Sequence, residues 1–140
     1  MLIIPAIDIR GGKCVRLFQG DYRQETVYAQ DPVEVAKRWI DQGAQFLHLV
    51  DLDGAREGVP VNKGLVLAVA AKYSVPLQVG GGIRDRGTVD EYLSAGVKRV
   101  VLGTASSDPL ERARRTCLAI LRGSISGLEP GGNEIGTELE

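Results

Sequence analysis

The feature that most constrains the fold is a series of four short, mainly apolar runs. They occupy residues 2–8, 46–51, 76–80 and 98–102, and each ends in or leads into a carboxylate or a glycine. Strands that are apolar throughout, rather than at alternate positions, are typical of a parallel sheet buried on both faces. The segments between these runs are long enough for helices, so the sequence predicts consecutive βαβ units.

Helix signals fill the intervening segments. Asp31 stands before a proline and predicts a capped helix start, and Gly43 predicts the end of that helix. Residues 62–73 supply a second helix. Thr88 opens a capping-box pattern, with Gly96 as the stop of the helix that follows.

The strand–helix pattern ends at about residue 120. Residues 1–120 are therefore predicted to form one α/β domain of four βα units. Residues 121–140 are rich in glycine and glutamate and contain no β-branched run. Such a composition buries too little apolar surface to order itself, so we predict an irregular tail that is disordered or non-native.

Two of the predicted strands lead into glycine turns, Val79–Arg84 and Val101–Ala105. Glycine adopts positive φ without a Cβ clash and lets the backbone approach a ligand closely. Backbone N–H groups in such a turn, ahead of a helix start, form a cradle for an anion. Because the two turns follow neighbouring strands, we predict that together they hold one phosphate group. The alternative is that these glycines only make tight turns.

A carboxylate and the single histidine are the candidates for chemistry. Asp8 ends the first apolar run, where parallel α/β folds place reactive groups, and it is either a general acid or base or a loop cap. His48 alternates with its apolar neighbours and faces away from them, either towards a ligand or as a satisfied core histidine. Asp51 and Asp53 carry the same ambiguity and are interpreted as structural.

Two arginines are candidates for contacts with a phosphate or another polar group of a ligand. Arg84 follows the triple glycine after a single residue, which favours a ligand role. Arg16 lies in a segment, Lys13–Leu17, whose alternation is also that of a short hairpin strand.

Composition excludes several classes of function. A net charge of −1 leaves no basic footprint for nucleic acid or a membrane surface. No apolar stretch approaches the roughly 20 residues that span a bilayer, and the N-terminus lacks the basic region of a signal peptide. One histidine and two cysteines without metal-ligand spacing predict no metal site. We therefore expect a cytoplasmic protein whose partner is a small molecule.

Five segments together resemble the aldose–ketose isomerases of histidine biosynthesis, the phosphoribosylformimino-5-aminoimidazole carboxamide ribotide isomerases. The matching stretches are Ile4–Ile9, Val15–Tyr22, His48–Ala55, Val79–Arg84 and Leu102–Ala105. They occur in the order of that family and cover the chain to about residue 120. The cyclase of the same pathway shares the glycine turns, whereas the second and third segments are similar to the isomerase.

The resemblance implies a (β/α)8 TIM barrel built from two similar halves, of which residues 1–120 are the N-terminal half. It implies an Amadori rearrangement of an N-linked aminoaldose ribotide to the aminoketose, without metal or cofactor. Asp8 would be the catalytic base. The residues expected to bind phosphate or orient the substrate are Gly81, Gly82, Gly103, Thr104, Arg16, His48 and Arg84.

The chain departs from the family pattern after residue 120. The second catalytic aspartate of the family belongs at the end of a fifth strand, and no matching run follows. Three readings stay open: an isomerase that needs a second half, a non-catalytic phosphate-binding half barrel that forms a homodimer through its open face, and the related cyclase.

Overall fold

The computed structural model describes residues 1–102 and 134–137. Within them, strands and helices follow one another along the chain in an order that starts with three strands. The elements are β1 (Ala6–Arg10), β2 (Lys13–Phe18), β3 (Asp21–Ala29), α1 (Pro32–Asp41), β4 (Leu47–Asp51), α2 (Leu52–Glu57), α3 (Lys63–Lys72), β5 (Leu77–Gly80), α4 (Arg86–Ser94), β6 (Arg99–Leu102) and β7 (Glu134–Thr137).

The strands form one sheet in the order β3-β2-β1-β4-β5-β6-β7. From β1 to β7 each neighbouring pair is parallel, while β2 and β3 add an antiparallel hairpin beside β1. Among the described strands the sheet has two ends and does not close on itself. The predicted succession of βα units in a half barrel is confirmed, and the hairpin strand proposed for Lys13–Leu17 is part of it.

The first strand lies further along the chain than its apolar run suggests. The sequence predicted residues 2–8, but β1 covers Ala6–Arg10, and residues 1–3 are exposed. Pro5 has no backbone N–H to donate, which disfavours an earlier start. Pairing of Ile9 with Cys14 and of Arg10 with Lys13 extends the strand at its other end. Asp8 therefore lies in the middle of β1 rather than at its end.

Side-chain caps define the starts of α1 and α4. Asp31 accepts a hydrogen bond from the Val33 N–H at 2.9 Å, as the sequence predicted. The start predicted at Thr88 is wrong, because α4 begins at Arg86 with Asp85 as its cap. Asp85 accepts from both the backbone N–H and the hydroxyl of Thr88, at 2.9 and 2.8 Å, and so takes the capping role itself.

A short strand lies within the region predicted to be an irregular tail. Residues 134–137 form β7, which pairs in parallel with β6, and here the structure differs from the prediction. The edge of a sheet offers unpaired backbone N–H and C=O groups to any extended segment, whatever its side chains. The rest of residues 121–140 and the glycine turn after β6 lie outside the described residues.

Side chains of the four parallel strands β1, β4, β5 and β6 alternate between two environments. The helices cover one face, where the core is fully buried; its strand members include Ile7, Ile9, Leu47, Leu49, Leu77, Val79 and Val100. Asp8, His48, Gln78 and Arg99 point to the opposite face and are only partly buried. In the described part of the chain, no helix is long and apolar enough to cross a membrane.

The carboxylate of Asp51, at the end of β4, is fully buried and organises the next loop. One oxygen accepts from the N–H of Gly54 and the side-chain amide of Asn62, both at 2.8 Å. The other accepts from the backbone N–H groups of Val61 and Asn62, at 2.8 and 2.7 Å. These four bonds fix the start of α2 and the approach to α3, so the structural interpretation of Asp51 is confirmed.

We expect Asp51→Asn to destabilise the fold strongly. The amide that replaces one oxygen turns two acceptor positions into a donor that faces N–H groups. Each buried N–H left without an acceptor costs about 1–3 kcal/mol, so the loss in unfolding free energy should be on the order of 3 kcal/mol. Urea denaturation followed by circular dichroism measures it.

The matched control is Asp31→Asn, the same change at an exposed helix cap. Asparagine caps helices about as well as aspartate, so the control should lose less than about 1 kcal/mol. Equal losses in the two variants would show that the Asp51 network does not hold the loop.

Candidate functional site

Asp8 lies on the partly buried face of β1, between two core residues that point the other way. Burial raises the pKa of its carboxyl above the usual value, while the nearby His48 and Arg16 act in the opposite direction. Among the described residues, no hydrogen bond to this carboxylate is found. Asp8 is thus a half-buried carboxylate next to two basic side chains, an environment that suits a general acid or base.

His48 lies on the adjacent strand, on the same face as Asp8. Its neighbours Leu47 and Leu49 are fully buried in the core, which places the imidazole on the opposite side of β4 as predicted. Nδ1 of His48 is 3.0 Å from Nε2 of Gln78 on β5. The ring is therefore held from the β5 side, at a position close enough to Asp8 to influence its charge.

Gln78 in turn contacts Arg99 on β6. The Arg99 guanidinium donates to Oε1 of Gln78 at 3.3 Å and lies over the Phe46 ring, 4.8 Å from its centroid. His48, Gln78 and Arg99 occupy the same register on three neighbouring parallel strands. They form a row of polar contacts across the sheet.

The two predicted arginines lie at different edges of this face. Arg16 is exposed on β2, with its guanidinium 6.0 Å from the centroid of the Tyr28 ring, and it influences Asp8 electrostatically. Arg84 is exposed in the loop after β5 and lies against Gly58, the residue that ends α2. The structure thus places Arg16 near Asp8 and Arg84 near the glycine turn.

The triple glycine packs tightly against the loop that Asp51 organises. Gly81 and Gly82 have φ of +105° and +74°. A Cβ on Gly81 would lie 2.1 Å from the Asp51 carbonyl oxygen, and one on Gly82 would lie 2.6 Å from the Gly54 carbonyl oxygen. These positions require glycine for backbone packing, a reason that exists whether or not the turn also binds an anion.

Gly103 and Thr104, the predicted second half of the phosphate cradle, lie outside the described residues. The structure accordingly describes the candidate phosphate site on its β5 side alone. That side is the turn containing Gly81 and Gly82, which Arg84 follows after Ile83.

A cavity of about 450 Å³ lies where β1 meets the hairpin. Its charged lining residues are two basic ones, Arg10 and Lys13, and two acidic ones, Glu25 and Asp53. Arg10 forms an ion pair with Glu25, and Asp53 accepts from the Gly11 N–H at 2.6 Å. Because the charges balance, this cavity does not favour an anion, and the structural interpretation of Asp53 is confirmed.

Metal-binding chemistry finds no support in the described part of the chain. Within residues 1–102 and 134–137, no group of three or more His, Cys, Asp or Glu side chains is arranged to hold a metal ion. The arrangement that does stand out is one carboxylate and one imidazole on the same face of a parallel sheet, with a glycine turn directly after the neighbouring strand β5.

Sequence reasoning missed three polar residues that shape this site. Gln78 and Arg99 hold His48 from one side, and Asn62 links Asp51 to Asp53, donating to the latter at 2.8 Å. A signal existed for Gln78, which is a polar residue inside an otherwise apolar strand. No local signal marks Asn62, since its partners lie nine and eleven positions away.

The chain matches one family model over residues 2–125, that of the histidine biosynthesis proteins. Two similar curated proteins are those of Brevibacillus brevis, 61% identical over 105 residues, and Synechococcus elongatus, 59% identical over 106 residues. A third, from Synechocystis, is 47% identical over 137 residues. All three are named 1-(5-phosphoribosyl)-5-((5-phosphoribosylamino)methylideneamino)imidazole-4-carboxamide isomerase.

These relatives are much longer than the chain. The alignments cover 75%, 76% and 98% of this chain but only 42%, 41% and 54% of the relatives. The chain spans about half the length, or less, of the curated proteins that it matches.

The packing of the glycine turn leads to a testable difference between two glycines. We expect Gly82→Ala to lose about 3 kcal/mol of unfolding free energy or more, because it adds a backbone clash to an unfavourable φ. Gly96→Ala, also at positive φ but with no atom within 4 Å of its Cβ, should lose only about 1–2 kcal/mol. Urea denaturation of both variants gives the comparison, and equal losses would show that the turn is not held by packing on Gly54.

Proposed function

The chain belongs to the family of histidine biosynthesis proteins, and from that membership we propose that it forms one half of the active site of an aldose–ketose isomerase. The reaction is the conversion of an N-linked aminoaldose ribotide to the corresponding aminoketose. The names of the relatives support this reaction class. The observation that carries it is the placement of Asp8 beside His48 on one face of the parallel sheet, with Asp8 in the register row of Gly80, the last strand residue before the glycine turn.

Asp8 is proposed as the catalytic base that removes the substrate C2 proton. Burial raises the proton affinity of its carboxyl, while His48 and Arg16 keep the ionised form accessible. These opposing effects bring a carboxyl closer to the pKa that proton transfer near neutral pH requires. The proton is then returned at C1, and the C2 hydroxyl gives up its own proton to become the ketone. That proton replaces the one that an acid supplies to the ring oxygen when the sugar ring opens.

The glycine turn is proposed as the site of one substrate phosphate. Gly81 and Gly82 are fixed by packing before any ligand arrives, so binding need not pay for ordering the turn. Gly103 and Thr104 would complete the cradle from the neighbouring strand. Arg84 would add charge to the phosphate, while Arg16 and His48 would orient the rest of the ribotide.

A second half of the site is proposed to come from a second copy of this chain. The helices cover only one face of the described sheet, and the other face carries Asp8. Two copies that meet through these uncovered faces bring two Asp8 carboxylates into one shared site. One carboxylate can then act as the acid and the other as the base. We place this assembly in the cytoplasm, where a biosynthetic enzyme meets its substrate.

We expect Asp8→Asn to abolish isomerisation of the aminoaldose ribotide while leaving its binding within about threefold of the unmodified chain. The amide cannot accept the C2 proton, whereas the glycine turn is unchanged. The fold should not weaken, since a charge whose burial is unfavourable is removed. Turnover by absorbance and binding by calorimetry, both on the full chain, measure the two effects.

Asp41→Asn is the matched control, since Asp41 is exposed at the end of α1 and should leave turnover unchanged. For the unmodified chain, kcat should fall as the pH decreases through the raised pKa of Asp8, because the base must be ionised. No turnover by the unmodified chain, or equal loss of turnover and binding in Asp8→Asn, would overturn the proposal.

The proposed assembly predicts a dimer at micromolar concentration. Sedimentation velocity of the full chain should show a species of twice the 15.0 kDa monomer mass, and turnover per chain should rise with the dimer fraction. A folded monomer at all concentrations would contradict a site completed by a second copy.

A further inference from the structure

The row of polar contacts formed by His48, Gln78 and Arg99 indicates which nitrogen of the His48 ring is protonated. Its three members lie on β4, β5 and β6 in matching register, with His48 opposite Gln78 and Gln78 opposite Arg99. Each member contacts the next through side-chain atoms, at 3.0 and 3.3 Å. Arg99, at the end of the row, can only donate hydrogen bonds, and this determines how Gln78 and His48 must be oriented.

Arg99 fixes the orientation of the Gln78 amide. A guanidinium has N–H donors and no acceptor, so the atom of Gln78 that faces it must be the carbonyl oxygen. The stacking of Arg99 on Phe46 further restricts where the guanidinium can lie. Turning the amide round would place its NH₂ group against the N–H groups of Arg99.

With the amide so oriented, its NH₂ group faces Nδ1 of His48. A donor at this position requires an acceptor, so Nδ1 must present its lone pair. A neutral imidazole then carries its proton on Nε2, and a doubly protonated ring would set an N–H group against the NH₂ group of Gln78.

We propose that Gln78 and Arg99 are positioning residues that hold His48 as the neutral tautomer protonated on Nε2. The two ring nitrogens point in diverging directions, so the Nε2–H donates away from Gln78, to an oxygen of a bound ligand. That consequence for the ligand rests on the proposed function, whereas the tautomer itself is a property of the chain alone. Neither residue touches the reacting atoms; both act through His48.

Charged groups on both sides of His48 enter the balance. Asp8 on β1 favours a positively charged imidazole, because the two groups attract each other. On the other side, the donor of Gln78 on β5 and the positive charge of Arg99 on β6 favour the neutral ring. Removal of the Gln78 donor must therefore shift the balance towards the charged form.

The single histidine of the chain makes the test direct. Long-range ¹H–¹⁵N correlation spectra of the full chain, labelled with ¹⁵N and without a histidine tag, report the protonation of Nδ1 and Nε2 separately. Spectra from about pH 5 to 9 give both tautomer and pKa. We expect an unprotonated Nδ1 and a protonated Nε2 in the neutral form.

Two variants at position 78 distinguish the effect of the hydrogen-bond donor on His48 from the effect of side-chain packing. Gln78→Met keeps the length but loses the donor, and should raise the pKa of His48 by about half a unit or more. Gln78→Glu replaces the donor with an acceptor, and should raise that pKa further and move the proton of the neutral ring to Nδ1. Gln42→Glu, which adds the same charge at the exposed end of α1, should change neither quantity.

The outcomes distinguish this proposal from the isomerase proposal, because the spectra are recorded without substrate. A protonated Nδ1 in the unmodified chain, or a pKa in Gln78→Met equal to that of the unmodified chain, would overturn the positioning role. If Gln78→Glu does not fold, Gln78→Met still decides. An inactive chain with the expected spectra would leave the positioning role intact and contradict only the isomerase.

Discussion

The described part of the site depends on the buried carboxylate of Asp51. Its two oxygens accept hydrogen bonds from four N–H groups, which satisfy the buried carboxylate. The loop that it gathers brings the Gly54 carbonyl to within a van der Waals distance of the glycine turn after β5. The position of the candidate phosphate cradle is thus set by a carboxylate that never needs to touch a ligand.

The same strands serve stability and chemistry through their two faces. Residues such as Ile7 and Leu49 are buried against the helices, while Asp8 and His48, one position along, point to the face that the described helices do not cover. A one-residue shift of register would exchange the two sets and remove both the core and the site. The apolar packing that holds the strands in register therefore also fixes the spacing of the polar side chains.

What the sequence allowed us to predict follows from local rules. Continuous apolar runs identified β4, β5 and β6 within one residue, and the cap at Asp31 marked the start of α1. Alternation along the strand placed His48 on the correct face. The resemblance to proteins of histidine biosynthesis is confirmed by the family match over residues 2–125.

What escaped prediction depends on contacts between distant parts of the chain. The hydrogen bond between His48 and Gln78 joins residues 30 positions apart, and the one between Gln78 and Arg99 joins residues 21 positions apart. The requirement for glycine at position 82 comes from the Gly54 carbonyl as well as from the positive φ of its own turn. Such needs are visible only once the register of the sheet is known.

The polar groups on the face away from the described helices differ in their hydrogen bonding. His48, Gln78 and Arg99 satisfy one another across three strands, so this row is ordered without a ligand. Asp8, in the next register row, has no hydrogen bond from the described residues to hold its charge. A half-buried carboxylate without such a bond has a raised proton affinity, and a fixed donor on the next strand can hold a ligand oxygen near it. The described half of the sheet thus combines a carboxylate of raised proton affinity with a neighbouring histidine that other strands hold in place.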